Sequence, residues 1–188
     1  MRANVHVLAV PFMDKDGVVN GDQGKKRLPH DHNRDYVIGR YPSVRALKDA
    51  VPTNGTQVCY LDLHSPWLRG REHDQVYALC PEGAEFDARY RAYSRELVKA
   101  TKNAALVYDA KWDIPFGHEW NNAKLFDGTD GTKMSATRYF LRRPNCFFSM
   151  CMEYGYGLCG GVFSPAAARE LGRNTLKALV RSIANVGK

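Results

Sequence analysis

The chain has 188 residues, 44% hydrophobic and 25% charged. That is the length of one domain and an ordinary globular composition, so a disordered, collagenous or coiled-coil chain is excluded. Lysine and arginine number 27 against 20 acidic residues, a formal charge of +7 that permits contact with nucleic acid without indicating it. No apolar run approaches the roughly 18 residues of a membrane helix.

In chain order, Val5 to Val10 is a short run rich in β-branched residues, closed by Pro11. It imitates a signal peptide, but it is too short, carries His6 and lacks a small-x-small cleavage site. It is expected to be a buried strand. Residues 12–36 form a long polar segment with glycines at 17, 21 and 24, a turn-rich loop of the kind that is usually functional. Pro42 to Val51 carries Val44, Leu47 and Val51 at helical spacing, with proline in the first turn. Gln57 to Leu63 reads as a strand ending at His64, and Val76 to Leu79 as a further strand. Glu82 to Lys102 is a helix with Phe86, Tyr90, Tyr93, Leu97 and Val98 on one stripe.

Residues 109–131 are loop-rich and aromatic, and residues 132–141 suit a helix. Cys146 to Met152 is a strongly apolar strand that ends at Glu153. Ser164-Pro165 is a cap and first-turn proline, opening a helix that runs to about Asn185. The five cysteines are scattered and contain no Cys-x-x-Cys pair, so they are expected to be buried apolar thiols. Strands alternate with helices, without repeat or linker. The expected fold is α/β: one domain over residues 1–188 with a mixed, mostly parallel sheet flanked by helices.

In such folds ligands gather at the carboxyl ends of strands. The loop after the first strand presents Arg27, Asn33 and Arg34. The strand over 57–63 delivers His64, and the strand over 146–152 delivers Glu153. Each residue has a plain structural reading as well: a single histidine is commonly a hydrogen-bonding core residue, and Lys25-Lys26-Arg27 could be a solvated basic run. A carboxylate at the end of a buried strand is costly unless paired or functional.

Pro11 to Gly21, followed by Asp31-His32-Asn33-Arg34, resembles zinc metallocarboxypeptidases of the carboxypeptidase A type. Their pattern is Pro-x-x-Asn-Pro-Asp-Gly, a turn-rich loop, then Asp-x-Asn-Arg; here Met13-Asp14-Lys15-Asp16-Gly17 stands for the first part, without its Asn-Pro. Leu61-Asp62-Leu63-His64 resembles their strand bearing a histidine ligand, and Met150-Cys151-Met152-Glu153 their strand bearing the catalytic glutamate. The resemblance implies a zinc-dependent hydrolase that removes C-terminal residues from peptides or proteins. It implies His64 as a zinc ligand and Glu153 as the general base. Asn33 and Arg34 would hold the substrate carboxylate, and Arg27 would steady the oxyanion.

The family's other zinc ligands lie in a His-x-x-Glu motif upstream of the first strand. The six histidines here are followed three residues on by Ala9, Asn33, Asp35, Trp67, Val76 and Asn121, none of them glutamate. The chain is therefore expected to be the C-terminal portion of such a domain. An alternative from another class is a non-catalytic module in which Arg27, Asn33 and Arg34 capture peptide C-terminal carboxylates. A nucleic-acid binder ranks below both, because the basic residues cluster only at 25–27 and 142–143 and no recognition motif is present. No nucleic-acid or membrane partner is expected.

Overall fold

The computed structural model describes residues 5–67, 70–127, 131–157 and 163–185. Its centre is a mixed sheet of three strands, β1 (Val58–His64), β2 (Val76–Leu79) and β3 (Cys146–Tyr154), in the order β1-β3-β2. β1 runs parallel to β3, and β2 antiparallel to it. The parallel and antiparallel pairs are thus balanced among the described strands, where a mostly parallel sheet was expected. β3 is buried along almost its whole length, which explains its near-continuous apolar sequence: a central strand has no solvent face to mark with alternating polar residues.

One face of the sheet carries Phe148, Met150 and Met152. It packs under Tyr90, Tyr93 and Leu97 of α3 (Ala84–Thr101) and under Leu171 and Ala178 of α6 (Pro165–Asn185). Both helices lie close to where their stripes and caps place them. Ser164 Oγ accepts the Ala167 N–H at 3.1 Å, so the Ser-Pro signal acts as read. Gly83, at φ +97°, makes the sharp turn into α3.

The opposite face is covered in two parts. Val44 and Leu47 of α2 (Pro42–Ala50) and Phe140 of α5 (Ala136–Leu141) enclose Tyr36 beside Val58 and Tyr60. Further along, Tyr77, Leu79 and Cys151 pack with Ile114 and the aromatic residues of the 109–131 segment, Trp112, Trp120 and Phe126. Ile114 also shields the outer edge of β2, donating its N–H to the Ala78 carbonyl at 2.9 Å and accepting from the Cys80 N–H at 3.0 Å.

Val5 to Val10 does not form the expected buried strand. It lies in irregular backbone, with Val7 68% and Leu8 58% exposed. An apolar run becomes a strand only beside an edge that can complete its hydrogen bonds. Among the described residues none pairs with the outer edge of β1, and this run does not reach it. The polar 12–36 segment is more ordered than a loop. It contains the short helix α1 (Lys15–Asn20), opened by Asp14 accepting from the Gly17 N–H and closed by Gly21 at φ +73°. The remaining short helix is α4 (Ala123–Asp127). Cys80, Cys146 and Cys151 are buried and Cys59 partly so, all as free thiols, which matches the expected apolar role; Cys159 lies outside the described residues. No helix among the described residues is long and apolar enough to cross a membrane.

Candidate functional site at the carboxyl edge of the parallel pair

Strand register builds the site. His64 lies opposite Glu153 and Asp62 opposite Cys151, because β1 and β3 run side by side in parallel. Side chains two apart on a strand share a face. Asp62, His64, Cys151 and Glu153 therefore form a polar square at the strands' carboxyl ends. The sequence reading placed His64 and Glu153 just beyond their strands; the structure makes them the last residue of β1 and the next-to-last of β3.

Asn33 reaches this square from the 12–36 segment. Asp31 accepts the Asn33 N–H at 2.8 Å and starts a single 3-10 turn, His32–Arg34. The Asn33 amide is then fixed at both ends. Its Oδ1 accepts from the Ala136 N–H at 2.8 Å, at the start of α5, and its Nδ2 donates to Asp62 Oδ2 at 3.2 Å. His64 Nε2 lies 3.0 Å from Asp62 Oδ1 and 3.0 Å from Asn33 Nδ2. One ring nitrogen cannot donate to the first and accept from the second at once. Burial disfavours the imidazolium, but Asp62, with Glu153 and Asp31 behind it, outweighs burial and pushes His64 up to about 9. Nε2–H therefore donates to Asp62. When the ring gives up its other proton, Nδ1 holds a free lone pair in an orientation the carboxylate has fixed.

Glu153 is 5% exposed. Its Oε1 accepts from the Cys151 thiol at 3.8 Å, while Oε2 is buried with no hydrogen-bond partner among the described residues. Burial raises the Glu153 pKa, Asp62 adds to the rise, and His64 and the thiol oppose it. Burial, reinforced by Glu153 and Asp62, also pushes the Cys151 thiol well above its ordinary value, against a smaller opposing effect of Arg34. A buried, half-satisfied carboxylate beside an oriented imidazole is costly to fold and marks a functional candidate.

The sequence-derived residues divide into two groups. His64, Glu153 and Asn33 come together. Arg34 stands next to them, turning one guanidinium nitrogen onto the Asn33 carbonyl at 2.5 Å. Arg27 stands apart. It pairs with Asp14 at 3.4 Å and Asp22 at 3.2 Å beside His32, and no described contact joins it to the polar square. Three residues escaped the sequence reading. Asp62 and Cys151 each sit two positions before a named residue on the same strand, a spacing that would have placed them on the same face. Asp35 holds the approach loop: fully buried, it accepts from the Arg40 and Tyr41 N–H groups at 2.9 and 2.8 Å and lies 2.8 Å from His30 Nε2. Burial opposes its charge, but these donors hold its carboxyl below the usual value.

No protein-family profile, curated protein or solved structure matches this chain.

Proposed function

We propose that the chain carries the site of a zinc-dependent, metallocarboxypeptidase-like hydrolase that removes C-terminal residues from peptides. The observation that supports this most is the facing of His64 and Glu153 across adjacent parallel strands, with the Glu153 oxygen Oε2 buried and unpartnered. The donor chemistry fits zinc: an imidazole oriented by a carboxylate, beside a carboxylate with an unsatisfied oxygen. Bound there, zinc would bring the pKa of a coordinated water to about 7 and polarise a carbonyl.

The protein's own groups then have distinct tasks. His64 is a ligand whose ring Asp62 orients. Glu153, with its pKa raised, takes a proton from the attacking water and returns it to the leaving amine. Arg34 offers its remaining guanidinium N–H groups to the substrate's terminal carboxylate, beside the Asn33 amide. Arg27 takes the oxyanion role only by leaving Asp14 and Asp22.

The test is release of the C-terminal residue from a peptide supplied with zinc, beside the same peptide as its C-terminal amide. Release from the free acid, and little from the amide, is expected. Binding of the free acid without release would instead make the chain a carboxylate-binding module. Equal handling of acid and amide would refute carboxylate recognition.

A further inference from the structure

The resemblance assigns no role to Cys151, and the reading above uses it only as a donor to Glu153. Its position invites more. One ring nitrogen of His64, Cys151 Sγ and one carboxylate oxygen of Glu153 all lie within 4.8 Å of one another. Around one tetrahedral ion, a thiolate at about 2.3 Å and a carboxylate oxygen at about 2.1 Å stand roughly 3.6 Å apart. Cys151 Sγ and Glu153 Oε1 are 3.8 Å apart, so both can reach one ion with almost no movement. Strand register holds them there: both side chains leave the same face of β3, opposite Asp62 and His64 of β1. A second observation points to a missing ligand. Glu153 is more than nine-tenths buried, and its Oε2 has no hydrogen-bond partner among the described residues. A cation held by both carboxylate oxygens, or by Oε2 after a turn of the carboxylate about its last bond, would satisfy that oxygen, which no described protein group does.

We propose that Cys151 is a metal ligand: with His64, and with Glu153 completing the shell in the substrate-free chain, it forms a site for a thiophilic divalent cation within these residues. The inference takes from the preceding section only that His64 is a ligand. It explains how the chain could hold zinc without a His-x-x-Glu motif. On binding, the thiol proton passes to the buffer as the sulfur–metal bond forms, with no change of oxidation state. The choice of ion follows from the donors, since a thiolate and an imidazole favour zinc or cobalt over magnesium or calcium.

The probe is Co²⁺ added to the reduced chain, followed by near-ultraviolet absorption, where a thiolate bound to cobalt gives a charge-transfer band. One Co²⁺ per chain with that band is expected, displaced by Zn²⁺. Cys151→Ala should abolish the band and weaken Co²⁺ binding at least tenfold, while Cys59→Ala leaves both unchanged. Glu153→Gln should weaken binding but keep the band. The unmutated chain is already decisive if Cys151→Ala fails to fold, because Co²⁺ binding without a thiolate band, or no Co²⁺ binding, overturns the proposal. So does a band that survives in folded Cys151→Ala. A thiolate band in a chain that releases no C-terminal residue would refute the proposed function and leave this inference standing; zinc-dependent release without the band would do the reverse.

Discussion

Two buried carboxylates in this protein sit in opposite chemical situations. Asp35 is fully buried and surrounded by donors: two backbone N–H groups and the His30 ring. Its pKa is lowered, and its side chain ties the approach loop to the start of α2. Glu153 is nearly as buried, yet one oxygen has a thiol as its donor and the other has no partner among the described residues. Its pKa is raised. Burial penalises both charges, so the difference lies in what was placed around them. A fully satisfied buried carboxylate is a structural bolt; a half-satisfied one beside an oriented imidazole is kept because something else uses it.

The contrast breaks most visibly on substitution. Glu153→Gln should lower turnover of a free-acid peptide by about 10²- to 10⁴-fold, the usual worth of a general base, without lowering the melting temperature. Activity at the original level would remove Glu153 from the chemistry. Asp35→Ala should do the reverse in kind. It strands three donors and should cost about 3 kcal/mol in urea denaturation; an unchanged midpoint would show that Asp35 anchors nothing. Arg34→Met should raise KM for free-acid peptides about 10- to 100-fold, matching a charge-assisted bond of about 1.5–3 kcal/mol, and should leave amide peptides unaffected.

Acidity separates the two carboxylates by sign. Asp35 is more acidic folded than unfolded, so its contribution is complete above the ordinary carboxylate value of about 3.9 and is lost as pH falls through its folded value. Glu153 is less acidic folded than unfolded. Folding then favours its protonated form, and this contribution is lost as pH rises from about 4.3 through its folded value. Denaturation of the chelator-treated protein across this range should show Asp35→Asn flattening the acid limb. Glu153→Gln should be more stable than the parent at neutral pH. The same trend in both variants would erase the distinction.

The fold was legible wherever local signals were strong. The stripe of Tyr90, Tyr93 and Leu97, the Ser164-Pro165 cap and the apolar run before Glu153 each became the expected element within a few residues. The Val5–Val10 strand failed because an apolar run says nothing about a free sheet edge. Of the site, His64, Asn33 and Glu153 were readable, since strand ends and the Asn-Arg pair mark them. Asp62 and Cys151 share a face with His64 and Glu153 by their two-residue spacing, but that the two pairs meet depends on the parallel register of β1 and β3. Arg27 was assigned through the resemblance alone, and no residue spacing indicates that Asp14 and Asp22 hold its guanidinium.

The central claim is that the square at the ends of β1 and β3 holds a metal through His64. Elemental analysis of zinc in the purified chain, beside His64→Ala, tests it most directly. About one zinc per chain, lost in the variant, is expected. Zinc retained in folded His64→Ala, or none in the parent chain after exposure to zinc, would contradict it.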